Sequence, residues 1–215
     1  MIKTLIFDFD GTIADTVPAG LEIANVLADE FNYKKIDQSQ LSHYRSISSK
    51  EVIRQMGISY FKLPLLARRF KKIMRERVAE LPTVKGIDEE LSLLHQKGFR
   101  MGILTSNSEE NVTRFLANNS WEKYFQFAKC NVRLFRKSGI IKALLKKHQL
   151  NPKQTLLIGD ETRDIEAARK CGIVMMAVSW GFHTGALLGS YHPDYLIHHP
   201  SEIAKILNSL NSQGL

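Results

Sequence analysis

KTLIFDFDGT, residues Lys3 to Thr12, is the stretch on which the fold turns. Its apolar run carries no polar break, as suits a strand covered on both faces, and it ends in two carboxylates, Asp8 and Asp10, followed by Gly11. A strand spanning Lys3 to Phe9 therefore delivers acids where a core residue would be expected. Thr155 to Gly159 repeats the pattern, an apolar run closed by Gly159-Asp160-Glu161-Thr162-Arg163-Asp164. Arg100 to Thr105 does so with Thr105-Ser106-Asn107 at its end.

Working outward, weaker strand signals lie at Phe125 to Lys129, Ile173 to Val178 and Tyr195 to Ile197. Between them lie amphipathic helical patterns. One carries Ile87, Leu91 and Leu94 and stops at Gly98; a second carries Ile140, Ile141, Leu144 and Leu145; a third runs from Glu161 to Lys170. Strands alternating with helices of about ten residues imply βαβ units. The expected class is α/β, a doubly wound parallel sheet of Rossmann-like form.

From Asp15 to Leu81 the alternation stops and only helical patterns remain. Pro18 suits the first turn of a helix reaching Phe31, with Leu21, Ala24, Leu27 and Ala28 on one face. Leu65, Leu66, Phe70, Ile73, Met74 and Leu81 form a later apolar stripe, closed by Pro82. About 65 residues far exceed the 10–12 or so that a crossover needs. The organisation expected is a small all-helical cap domain, residues 15–82, inserted after the first strand into a core of residues 1–14 and 83–215.

Composition bounds the rest. The 215 residues are 44% hydrophobic and 24% charged, which excludes disordered, collagen-like and disulfide-framed chains. Two cysteines, Cys130 and Cys171, are too few for a thiolate zinc site and read as buried thiols. With no long apolar run and no leader-like N-terminus, a cytoplasmic protein without a membrane partner is expected. Thirty Lys and Arg against 22 Asp and Glu leave a formal charge of +8, which favours an anionic partner without choosing it.

In open parallel sheets ligands gather at the carboxyl ends of the strands. Asp8, Asp10, Asp160 and Asp164 converge there by this reading, and buried carboxylates are costly unless paired or metal-bound. Mg2+ takes oxygen ligands from one or two carboxylates, waters and a substrate phosphate. Asp8 and Asp160 offer side-chain oxygens, Asp10 its backbone carbonyl, and Asp164 a direct or water-mediated contact.

These four segments, in this order, resemble the haloacid dehalogenase-like hydrolase superfamily in its phosphoglycolate phosphatase-like branch. The motifs are DxDGT at Asp8 to Thr12, GILT ending in Thr105, a lysine opening a helix at Lys137, and GDxxxD at Gly159 to Asp164. The resemblance covers essentially the whole chain, and the helical insert stands where that branch carries its cap. It implies a Mg2+-dependent phosphatase in which Asp8 attacks phosphorus and forms an aspartyl-phosphate. Asp10 acts as acid and then base. Gly11, Thr105, Ser106, Asn107 and Lys137 hold the phosphoryl group, and the substrate is a small phosphate ester such as phosphoglycolate or a sugar phosphate. The dehalogenase and phosphonatase branches lack the second aspartate of the first motif; its presence as Asp10 favours phosphoryl transfer from oxygen. Proline usually follows the third-motif lysine, but here Arg136-Lys137-Ser138-Gly139 stands, which leaves Lys129 and Lys142 open.

The chemistry demands such a set. A carboxylate approaching a phosphate dianion meets repulsion of about 4 kcal/mol per charge pair at close range in a partly polar site. A divalent cation and a lysine offset it. A phosphomutase using the same intermediate, or a non-catalytic binding or regulatory protein on this fold, are the alternatives. The run Arg68 to Arg77 reads as a solvated basic face rather than a nucleic-acid site, because no binding motif accompanies it. His198-His199 reads as a surface turn, and Glu161 and Arg163 as metal-site members or a surface pair, the latter favoured for Arg163. The loop Trp180-Gly181-Phe182 reads as packing by default, with a border of the active site as the alternative.

Overall fold

The computed structural model describes residues 1–133 and 136–212, residue 79 by its backbone alone; the last three residues of the expected core thus lie outside it. Among the described residues six strands form one parallel sheet: β1 (Thr4–Phe7), β2 (Arg100–Leu104), β3 (Phe127–Lys129), β4 (Thr155–Gly159), β5 (Val174–Val178) and β6 (Tyr195–Ile197). Their order is β3-β2-β1-β4-β5-β6, with Thr4 opposite both Arg100 and Thr155. The strand order reverses between β1 and β4, so the crevice at their carboxyl ends is the natural ligand site.

Every expected strand is present, shorter by one to three residues at β1, β2, β3 and β5. Pairing stops where the chain turns: Thr12, Ile13 and Ala14 all send their N–H to the Phe9 carbonyl, in a turn that Gly11 enters at φ +72°. A side chain with a Cβ rarely adopts that conformation.

Successive strand residues face opposite layers. Leu5 and Phe7 join one apolar cluster while Ile6 joins the other; Leu156 and Ile158 separate from Leu157 in the same way. Helices α5 (Ile87–Gln96), α6 (Glu109–Asn118) and α10 (Glu202–Ser212) cover the first face, and α7 (Lys137–Lys147), α8 (Thr162–Cys171) and α9 (Gly185–Ser190) the second. Burial on both faces explains the unbroken apolar strands.

Between β1 and β2 the described residues form α1 (Val17–Phe31), α2 (Leu41–Arg45), α3 (Ser49–Gln55), α4 (Leu63–Arg77) and short 3-10 turns. Pro18 lies in the first turn of α1, and Asn32 closes it in the left-handed conformation. Tyr44, Val52 and Met56 form their own small apolar cluster. In contrast, Ile23, Leu27 and Met74 of α1 and α4 are continuous with the cluster beneath β1.

Some details differ from expectation. Leu65 is 56% exposed rather than part of the buried stripe, because the stripe that packs runs through Leu66, Phe70, Ile73 and Met74. Cys130 and Cys171 are half-buried free thiols, not fully buried ones, since both lie at element ends. In the basic run, Arg69, Arg75 and Arg77 pair with Glu30, Glu110 and Glu22. His198 and His199 are exposed, as expected of a surface turn. No helix among the described residues is long and apolar enough to cross a membrane.

Candidate active site at the carboxyl edge of the sheet

Asp8 leaves the end of β1, and Asp160 and Asp164 the end of β4 and the first turn of α8. One oxygen from each lies within 4.8 Å of the others, and the three residues are 4%, 1% and 0% exposed. Lys137, in the first turn of α7, places its Nζ 2.6 Å from Asp8 Oδ2 and 2.5 Å from Asp164 Oδ1. Lys129 and Lys142 are exposed, so of these three lysines it is Lys137 that meets the carboxylates. Asp164 also accepts from the Glu161 backbone N–H at 3.2 Å, closing the start of α8.

Asp160 is the residue without a cation. Its Oδ1 accepts from the Thr12 hydroxyl at 3.1 Å and its Oδ2 from the Phe182 N–H at 2.6 Å. Among the described residues no lysine or arginine pairs with it. Burial, and then the charges of Glu161, Asp8 and Asp164, push its carboxyl well above the ordinary range. Burial likewise raises Asp8, opposed by Lys137.

The backbone around Asp160 leaves no room for side chains. A Cβ on Gly11 or on Gly181 would come within 3.0 Å of Asp160, and one on Gly159 would strike Asp164. An all-oxygen, buried donor set short of positive charge, walled by glycines, fits a hard divalent cation such as Mg2+. Asp8, Asp160 and Asp164 would hold it.

The carboxylate of Asp10 stands outside this cluster, which leaves only its backbone carbonyl, the group expected from the sequence, to face a cation there. It turns toward the end of β2, accepting from Asn107 Nδ2 at 3.0 Å and from the Thr105 hydroxyl at 3.5 Å. Burial first, and the negative Asp8 second, push it up to about 6. A carboxyl in that range exchanges its proton near neutral pH. Thr105 Oγ1 also accepts from the Asn107 N–H at 2.9 Å, and Asn107 Oδ1 is taken by Ser108 N and Asn111 Nδ2. Asn107 thus donates to Asp10 while Ser108 and Asn111 hold its own oxygen, and Gly11 and Ser106 line the cavity beside Asp10.

Glu161 and Arg163 pair with each other, but not on the surface: their side chains are 14% and 20% exposed and border the cavity. Burial raises Glu161, yet the Arg163 guanidinium and His183 outweigh it and hold the carboxyl below its usual value. The turn of α8 folds both inward, which no local pattern announces.

Two residues of the helical segment reach this edge without having been singled out from the sequence. Arg45, the last residue of α2, donates to the Gly181 carbonyl at 2.7 Å and the Phe182 carbonyl at 3.1 Å, and its own carbonyl accepts from Thr184 N. Ser49 donates to Glu161 Oε2 at 2.8 Å. Residues 180–183, read from the sequence as packing by default or as a border of the active site, lie at this edge: Trp180 Nε1 donates to the Thr12 carbonyl, and buried His183 accepts from Thr162 N through Nδ1. The one available signal was position, since residues 180–183 follow the end of β5.

A family model described as haloacid dehalogenase-like hydrolase matches residues 5–178. The chain is 31% identical over 212 residues to a phosphoglycolate phosphatase of Synechococcus elongatus, covering 99% of this chain and 100% of the relative. It is 25% identical over 230 residues to the pyrophosphatase PpaX of Anoxybacillus flavithermus, covering 96% and 97%. The solved structure of a predicted phosphatase from Clostridium acetobutylicum superposes with a TM-score of 0.82 at 19% identity, covering 97% and 100%.

Proposed function

The chain belongs to the haloacid dehalogenase-like hydrolases, and from that membership we propose that it is a Mg2+-dependent phosphatase hydrolysing a small organic phosphate monoester through an aspartyl-phosphate on Asp8. The observation that carries this reading is the meeting of Asp8, Asp160, Asp164 and Lys137 at the sheet's switch point, with the Asp10 carboxyl held apart beside them.

In this reading Asp8 attacks phosphorus, the bond from phosphorus to the ester oxygen breaks, and its electron pair leaves with that oxygen. Asp10 supplies the proton that makes it an alcohol. Asp10 then takes a proton from water as the water oxygen attacks phosphorus, which returns Asp8 as carboxylate and releases inorganic phosphate. Thr105 and Asn107 keep the Asp10 carboxyl aimed, Lys137 neutralises Asp8, and Gly11 and Ser106 admit the phosphoryl oxygens. Bound Mg2+ supplies positive charge that offsets repulsion between the nucleophile and the phosphoryl group.

Residues 15–82 act as the cap and residues 1–14 with 83–215 as the catalytic core. Arg45 and Ser49 tie the first to the second beside Asp160. The setting is cytoplasmic, which keeps Cys130 and Cys171 as thiols. The test is hydrolysis of 4-nitrophenyl phosphate and 2-phosphoglycolate with and without Mg2+, for the wild type and Asp8→Asn. Cation-dependent release of phosphate, abolished in a folded Asp8→Asn protein, is expected; retained turnover places the nucleophile elsewhere. Single-turnover analysis in the presence of sugars separates transfer to water from transfer to a hydroxyl.

A further inference from the structure

We infer that the alcohol released in this reaction has an apolar body and a second anionic group, and that it occupies a groove between α4 and the loops after β2 and β3. The inference rests on the phosphatase reading above and names its substrate class.

The groove has a volume of about 820 Å3. Its walls include Tyr60, Leu63, Ala67, Phe70 and Val132, and Asp10 and Ser106 lie at its inner end. Since Asp10 protonates the departing oxygen, the rest of the alcohol begins where this groove begins. The groove's volume is many times the roughly 30 Å3 that one water molecule takes in the liquid. A two-carbon alcohol would leave most of it to water against apolar walls. An apolar chain of six or so carbons displaces that water instead.

Charge selects the second feature. Lys71 and Arg133 border the groove, and among the described residues neither is ion-paired with a carboxylate. Asp10 is the one acid among the groove's described lining residues. Burial, opposed by Asp10, holds the Lys71 ammonium below its ordinary value, so an arriving anion meets a cation short of compensation. The neighbouring cavity of about 340 Å3 also touches Asp10, but its arginines are engaged: Arg45 by the Gly181 and Phe182 carbonyls, and Arg163 by Glu161. Lys71, whose ammonium makes one 3.4 Å contact with Asn131 Oδ1, and Arg133 are the more loosely held positive charges, and they face the larger groove.

The experiment compares kcat/KM, with Mg2+, for 6-(phosphonooxy)hexanoate, hexyl phosphate and 2-phosphoglycolate, three alkyl esters that differ in apolar body and second charge. The hexanoate ester is expected to exceed phosphoglycolate at least tenfold. Ala67→Trp, which fills the groove, lowers that ratio at least tenfold. Lys71→Met lowers the ratio of the hexanoate ester to hexyl phosphate at least fivefold; its half-exposed position makes it the variant that folds if Ala67→Trp does not, with thermal denaturation as the check. A preference for phosphoglycolate, or ratios unmoved in folded variants, overturns the inference while the phosphatase reading stands. Turnover of none of the three, nor of 4-nitrophenyl phosphate, sinks both.

Discussion

Lys137 Nζ lies 2.6 Å from Asp8 Oδ2, although 129 residues separate the two in the chain. Both side chains are 6% exposed, so little solvent screens the pair, and Asp164 holds the same ammonium from the other side. Burial alone would lower the lysine's pKa, but Asp164 and Asp8 outweigh it and keep the group protonated. The ammonium is therefore a fixed charge beside Asp8 rather than a titrating one.

Replacing Lys137 with Met should leave two buried carboxylates facing each other without their cation. Removing one partner of a buried pair costs about 3–5 kcal/mol. Thermal denaturation without divalent cation should show a fall of several degrees or more, and turnover should drop by at least two orders of magnitude. An unchanged melting temperature and rate would remove Lys137 from the site.

Asp160 gives the opposite sign. Its carboxyl is raised well above the ordinary range, chiefly by burial, so the charged form destabilises the cation-free protein at neutral pH. Asp160→Asn should melt higher than wild type when a chelator is present. On adding Mg2+ the order should reverse: wild type gains about 2.7 kcal/mol at one hundred times its dissociation constant, roughly 5–10 °C for a chain of this size, and the variant gains little. Equal responses of the two proteins would mean that Asp160 holds no cation.

Gly181 and Gly139 provide a matched pair of alanine substitutions. At Gly181 a Cβ would come within 3.0 Å of the Asp160 side chain and of the Gly11 backbone, whereas at Gly139, exposed in α7, it would meet nothing within 4 Å. Gly181→Ala should destabilise by about 1–3 kcal/mol and weaken the Mg2+-induced rise in melting temperature. Gly139→Ala should stabilise by about 0.4–1 kcal/mol. Calorimetry on the two variants checks both signs.

Away from the site, Glu90 of α5 is buried and accepts a 2.6 Å hydrogen bond from the Ala204 N–H of α10. Burial raises its carboxyl, so its contribution to stability is fully present below the ordinary glutamate value of about 4.3 and is lost as pH rises through the higher folded value. Glu90→Gln keeps the acceptor oxygen and removes the charge. Its melting temperature should exceed that of wild type at pH 8, and the gap should close by pH 4. A gap that is constant across this range would contradict the shift.

Strand identity was legible because it is a local property. Runs such as Leu5 to Phe7 and Leu156 to Ile158 are apolar at every position, which only a strand buried on both faces requires, and each ends in chemistry-bearing residues. The family motifs fall on those ends, so Asp8, Thr105 and Asp160 are legible in the sequence alone. Lys137 shares its sequence signal with Lys129 and Lys142, because the proline that usually follows is absent, while its burial between two aspartates is a property of the folded chain. Arg45 and Ser49 carried no signal at all. They sit in short helices whose periodicity reports packing and says nothing of what a side chain meets more than a hundred residues away.

By itself the sequence determined a parallel sheet, its helical interruption and the set of acids at the strand ends, since periodicity and turn residues act over a few neighbours. Only the tertiary structure decided how those acids divide. Asp8, Asp160 and Asp164 share one buried space with Lys137, while Asp10 turns away to Asn107 and Thr105. Glu161 and Arg163, readable as a surface pair, are folded inward at the cavity's edge. The reason is physical: desolvation and charge pairing depend on which distant segments return to the same crevice, and that is set by strand order and the direction of each turn, not by the spacing of letters along the chain.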